Sequence, residues 1–221
     1  DNLEEVYCSI FKFNKLYAIS KYVVIVPKVD IEAFQLKLHF FKNIEILSED
    51  LVCDKRYFLN LCDFFLKNKD NYMSFRKSWY YQQILKLSYV LDEKNFSDNN
   101  LVIWDADTVP IKKIEFFDQN NQPYLYGSGY EYHLPYFYTI KKLLGKNCSL
   151  LNLSCITQFV ALNLKNRKEL RSFFLKLNSF YKIKNDQFFV ASALLKTLSI
   201  STNNSFLIES KFSEYEFIGN F

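Results

Sequence analysis

The chain has 221 residues, 49% of them apolar and 24% charged, which suits one ordinary domain with a sizeable core and excludes a disordered segment. Its net charge of +4 comes from scattered lysines, so no nucleic-acid stripe is present, and the weak basic bias suits an anionic substrate or a peripheral contact with an anionic membrane. Five cysteines without metal-type spacing read as reduced thiols of a cytoplasmic protein, and the longest early apolar run, 22–27, is too short to span a bilayer.

Leu3, Val6, Ile10 and Phe13 recur at three- and four-residue spacing and predict a helix over 3–15. KYVVIVP (21–27) is a β-branched run stopped by Pro27, a buried strand. DIEAFQLKLHFF follows as a short helix with Asp30 as candidate N-cap, and NIEILSED (43–50) alternates as a second strand. Helices are predicted over 54–67 and 74–91, then a strand over 101–104, after which PIKKIEFF leads away as extended chain. PYLYGSGYE (123–131) reads as another strand, with Gly127 and Gly129 allowing close backbone approach. Helices over 135–144, 166–179 and 185–197 complete the pattern, with Asp186 capping the last. Strands alternating with helices predict a layered α/β sheet, in which ligands bind at the carboxyl ends of strands.

LVIWDADTVP (101–110) poses the chemical question, because an apolar strand ends in two carboxylates, Asp105 and Asp107, at such an end. In extended chain both point to one face. A hard cation, Mg²⁺ or Mn²⁺, takes one or two carboxylates together with substrate phosphates and water. It then neutralises charge on a departing diphosphate, which is the physical case for a nucleotide-sugar transferase. Two solvated aspartates at a strand-end turn are the bland alternative. DADTV also fits the Asp-x-Asp-x-Thr signature of haloacid-dehalogenase-type phosphatases, with Asp105 as nucleophile. That chemistry needs a downstream acidic pair on a loop, and Asp118, Asp186, Glu209, Glu214 and Glu216 do not form one.

GSGYEYHLPYF (127–137) offers a second set of groups. Glu131 and His133 share a face if extended, and Tyr130, Tyr132 and Tyr136 around them can make a sugar-binding wall. Glu131 can serve there as general base on an acceptor hydroxyl.

RKSWYYQQILKL (76–87), VIWDADTVPIKKIEFF (102–117), YEYHLPYF (130–137) and FSEYEFIGNF (212–221), in this order and spacing, resemble a bacterial family of GT-A-like glycosyltransferases of capsule and lipopolysaccharide biosynthesis. The resemblance spans residues 5–221 and implies a single GT-A-like domain: a Rossmann-like α/β/α sandwich with a mixed sheet. It also implies a divalent metal at Asp105 and Asp107, and transfer from a nucleotide sugar to a glycan or lipid-linked glycan acceptor. Such domains open with a strand before the first helix. Here the first helix starts at residue 3, so the domain is expected to be incomplete at its N-terminus or to take that strand from another segment.

In the predicted helix 74–91, Tyr80, Ile84, Leu87 and Leu91 form an apolar stripe, and Arg76, Trp79, Gln83 and Lys86 form a neighbouring one. By analogy with the family this helix borders the donor pocket, where Arg76, Gln83 and, less so, Lys86 face a diphosphate or sugar; the alternative is long polar side chains reaching past the core to water. In LSCITQF (153–159), Ser154 and Gln158 stand one helical turn apart and, by resemblance, reach the acceptor with His133 and Tyr132. In the terminal SEYEF, Glu214 alternates with Tyr215 and is the carried-over candidate for metal ligand, base or acceptor contact. A non-catalytic carbohydrate-binding or scaffold module is the reading from another class, and aromatic richness suits it.

Overall fold

Val6, Ile10 and Phe13 lie buried along one side of helix α1 (Asn2–Leu16), as their spacing requires. In the computed structural model, residues 2–66, 73–97, 99–128, 132–145, 153–183, 188–201 and 210–221 are described. Strand β1 (Tyr22–Val26) is followed by a 3₁₀ turn, helix α2 (Ile31–Leu38) and strand β2 (Ile44–Ser48). The two strands pair in parallel, from Tyr22 opposite Ile44 to Val26 opposite Ser48, and α1 and α2 close a core over them made of Val6, Ile10, Val26, Phe34 and Leu38. Asp30 occupies the N-cap position of α2, yet its side chain accepts no capping bond, because the 3₁₀ turn over 28–30 already holds it in a helical conformation. Ser48 does cap the next short helix, α3 (Glu49–Val52), through the amide of Asp50.

Helices α4 (Lys55–Leu66) and α5 (Met73–Leu91) lead to strand β3 (Asn100–Trp104), helix α6 (Leu134–Leu144) and strand β4 (Phe159–Asn163). Helices α7 (Leu164–Phe180), α8 (Phe189–Ser201) and α9 (Glu214–Asn220) follow. The largest core gathers apolar side chains of α4 to α9 around Ile84, Leu87, Leu91, Ile140, Leu162, Phe174, Leu194, Phe212 and Phe217. A third cluster, centred on Phe13, Phe116 and Ala161, joins α1 to the β3–β4 pair through Trp104, whose ring meets Phe13 edge-on at 4.7 Å.

The α/β class is as the pattern predicts, but the sheet is not one predicted layer. Among the described residues the strands form two separate pairs, β1–β2 parallel and β3–β4 antiparallel. The described part of the strand predicted over 123–131 makes only isolated bridges, Pro123 with Phe117 and Ser128 with Ser154. The strand that pairs with β3 is β4, which the sequence reading passed over. No helix among the described residues is long and apolar enough to cross a membrane.

Candidate functional site

The site begins where β3 ends. Asp105 extends the ladder with β4 by one bond, its N–H donating to the Gln158 carbonyl at 2.9 Å. The chain then turns, with the Thr108 N–H donating to the Asp105 carbonyl at 3.1 Å and the Trp104 indole N–H to the Thr108 carbonyl at 2.7 Å. The turn corrects the extended geometry expected for the carboxylate pair. The Asp105 side chain is 19% exposed and meets α5 and α9, whereas Asp107 is exposed.

Lys86, from α5, reaches this corner. Its ammonium donates to Asp105 Oδ1, to Glu214 Oε1 at 2.7 Å and to the Tyr215 hydroxyl at 3.3 Å, and lies 4.7 Å from the centre of the Tyr215 ring. The Tyr215 hydroxyl donates to the same Asp105 Oδ1 at 2.6 Å. Burial alone would push the Lys86 pKa down, but Glu214 and Asp105 together outweigh it and hold the ammonium above its ordinary value. Glu214 is 3% exposed, and burial pushes its carboxyl up against the pull of Lys86. Burial, and then the charges of Asp105 and Glu214, push the Tyr215 phenol far up, so it stays a donor.

One face of α5 seats the C-terminal segment almost residue by residue. Arg76 donates to Ser210 Oγ; the Tyr80 hydroxyl accepts from the Lys211 N–H at 3.0 Å; Gln83 Oε1 accepts from the Glu214 N–H at 3.0 Å; Lys86 takes the Glu214 carboxylate. The polar stripe read from the sequence is therefore real, but it faces protein. Arg76 and Gln83, expected to face a donor, are engaged by 210–214, and Gln83 is buried.

The remaining expected residues scatter. His133 Nε2 lies 2.9 Å from the Ser210 carbonyl, which makes it the protonated nitrogen, and its ring meets Tyr136 edge-on. Tyr132 is exposed and stacks on Phe137. Ser154 is fully buried and donates to Glu216 Oε1, which also accepts from the Cys155 N–H at 3.1 Å. Gln158 is exposed at a positive φ of 66°. Ser154 and Gln158 thus lie in irregular chain, not one helical turn apart, because Ser154 bridges to Ser128 instead. Glu131 and Asp186 fall outside the described residues. Glu214 does not sit in an alternating tail; it opens α9, capped by Ser213.

Sequence reasoning missed Tyr215 and ranked Lys86 low. A signal existed for Lys86, since it stands on the stripe of Gln83 beside the buried face, and a half-buried ammonium needs carboxylate partners.

The donor set can take a hard cation. Both bonds to Asp105 fall on Oδ1, so its Oδ2 carries no hydrogen bond among the described residues, and Asp107, two residues on, is exposed. No group of three or more metal-type side chains occurs among the described residues. Mg²⁺ and Mn²⁺ held by one or two carboxylates and a substrate's phosphates need none.

Fold and site together define an α/β protein with a carboxylate turn at the end of an antiparallel strand pair, closed from above by its own C-terminal helix. Residues 2–191 match DUF6492, a family of unknown function, and the chain belongs to that family. The matched span contains α5, the aspartate turn and β4, and ends before Glu214 and Tyr215. No curated protein and no solved structure matches the chain.

Proposed function

We propose that this chain is a GT-A-like glycosyltransferase domain that moves a sugar from a nucleotide-sugar donor to a glycan or lipid-linked glycan acceptor in surface-polysaccharide biosynthesis. The observation that carries the reading is the strand-end turn, where Asp107 is exposed two residues from Asp105, whose Oδ2 carries no hydrogen bond among the described residues. Asp107 with Asp105 Oδ2 would hold Mg²⁺ or Mn²⁺. When bound, the ion supplies electrostatic stabilisation of the leaving diphosphate. Lys86 and Tyr215 orient Asp105 from behind. Tyr132 offers an exposed aromatic face for a sugar ring. Glu131 and Glu214 are the two candidate bases for the acceptor hydroxyl. Glu214 is buried behind Lys86, which favours Glu131 for direct contact and leaves Glu214 to hold the lysine. The Rossmann-like sandwich and its opening strand, a cytoplasmic location and a peripheral membrane contact belong to the same proposal.

The test is a thermal-shift screen of nucleotide sugars with and without Mn²⁺, followed by calorimetry of any hit. Stabilisation by one donor class that requires Mn²⁺ and disappears in Asp107→Ala supports the reading. Metal-dependent donor binding unchanged in Asp107→Ala overturns it.

A second reading has its own observation. Asp105 is already bonded to Lys86 and Tyr215 through Oδ1, as in a structural lock. A non-catalytic carbohydrate-binding module would use the turn in that way. Glycan binding without donor turnover and without a metal effect favours it.

A further inference from the structure

The corner between α5, the aspartate turn and α9 brings two carboxylates, Asp105 and Glu214, onto one ammonium, Lys86, with Asp107 exposed on the turn. The ammonium is the only cation that bonds to either carboxylate among the described residues. It is pinned from several sides, by Asp105, by Glu214 at 2.7 Å, and by the hydroxyl and ring face of Tyr215. It therefore already occupies the place between Asp105 and Glu214 that a bare divalent ion would seek.

Resting on the metal–diphosphate reading above, we propose that Lys86 makes the site selective for the metal–diphosphate complex over the free metal ion. The argument is one of charge. A free divalent cation approaching Asp105 meets a fixed positive charge bonded to that same carboxylate, in partly desolvated surroundings where repulsion is stronger than in water. A nucleoside diphosphate reverses the sign, because its negative charges exceed those of the cation it carries, whereas a nucleotide sugar, with one charge on each phosphate, cancels them; in both cases the repulsion that a bare ion meets from the ammonium is lifted. Lys86 thus sets the order of assembly. The metal enters with the donor and does not reside in the empty protein. The burial of Glu214 matters here, because a carboxylate 3% exposed beneath the lysine keeps the ammonium from swinging out to water.

The experiment uses the full chain and electron paramagnetic resonance of Mn²⁺, titrated alone and in the presence of UDP, GDP, CDP or ADP. Wild type is expected to bind Mn²⁺ alone at least about tenfold more weakly than Mn²⁺ with the preferred diphosphate. Lys86→Met removes the charge and is expected to tighten binding of Mn²⁺ alone at least about tenfold while weakening the diphosphate complex. Lys86→Arg keeps the charge and is expected to follow wild type. Lys86→Gln keeps polar contacts to the two carboxylates without the charge, and replaces Lys86→Met if that variant does not fold. A merely structural lysine predicts the opposite change, since its loss would loosen the turn and weaken Mn²⁺ binding in both conditions. Equal affinity for Mn²⁺ alone in wild type and the neutral variants, with diphosphate-dependent binding intact, overturns the role of Lys86 and leaves the metal reading standing. Failure of every variant to bind Mn²⁺ with any diphosphate overturns both.

Discussion

Gln83 Oε1 accepts the backbone N–H of Glu214 at 3.0 Å, joining two residues 131 positions apart in a place closed to water. The bond lies between those of Tyr80 and Lys86, so α5 acts as the template on which the C-terminal segment is laid. Gln83→Ala leaves the Glu214 amide buried without its acceptor. The expected loss is about 1–3 kcal/mol of unfolding free energy, measured by urea denaturation. Amide exchange at Glu214 should accelerate more than exchange at the centre of α8. Unchanged protection at Glu214 would show that the segment is held without this bond.

The two aspartates are expected to separate cleanly. Asp107 is exposed, and its one hydrogen bond within the described residues comes from Thr108 at 3.4 Å. Asp107→Asn should change stability by less than about 0.5 kcal/mol and abolish Mn²⁺-dependent nucleotide binding. Asp105→Asn should also cost stability, about 1–2 kcal/mol, because Lys86 loses one of its two carboxylates and Tyr215 is left with an uncharged amide oxygen as acceptor. Parallel thermal melts and calorimetry check both. A stable Asp105→Asn protein would mean that the lysine bridge adds little to the fold.

The sequence carried most of the helices and the placement of the aspartates at a strand end, because periodicity and β-branched runs are local signals. It did not carry β4. FVALN (159–163) is five residues long, and its partner β3 lies about sixty residues earlier, so nothing local marks the pairing. The aromatic stretch from Pro123 promised a strand because the residue types suit one, yet each bridge it makes involves a single residue. The terminal helix was legible and was not read. Ser213 with Glu216 three residues on has the form of a helix start, and the Ser213 hydroxyl does accept the Glu216 amide, whereas the reading of SEYEF weighed only the chemistry of Glu214. The polar stripe of α5 was visible as a pattern, but whether it faced a ligand or another part of the protein depends on long-range docking that no spacing encodes.

Arg167, on α7, is fully buried and terminates α5. Its Nε donates to the Val90 carbonyl at 3.0 Å and its Nη2 to the Asn95 carbonyl at 2.7 Å, while Arg171 Nη1 reaches the Leu91 carbonyl at 3.1 Å. The last carbonyls of a helix have no partner within it, and a cation there also meets the negative end of the dipole. The Arg167 guanidinium in addition lies 4.9 Å from the centre of the Phe96 ring. Arg167→Met fills similar space but leaves those carbonyls unbonded. The expected cost is about 2–4 kcal/mol in chemical denaturation, with Arg167→Lys intermediate. A neutral result for Arg167→Met would mean that water replaces the guanidinium at the end of α5.

Cys53 and Cys62 face each other's surroundings in the core between α3, α4 and α5, and burial pushes both thiols up to about 12. Cys155 is half-buried and pushed up to about 11, by burial first and then by the charge of Glu216. Cys8 is exposed. In a Cys148→Ser background at pH 8, a thiol reagent should therefore modify Cys8 rapidly, Cys155 slowly, and Cys53 and Cys62 only on unfolding. The same shifts fix a direction for stability. An unfolded cysteine ionises near 9, from which both buried thiols are raised, so between about 9 and 12 the unfolded chain has released protons that the folded chain still holds. These thiols favour folding fully below that window, and the contribution is lost as pH rises through it. Urea midpoints should fall between pH 9 and 11, and the fall should be shallower in the Cys53→Ala, Cys62→Ala double variant. An equal slope in the two proteins would assign the alkaline loss to the buried tyrosines and lysines instead.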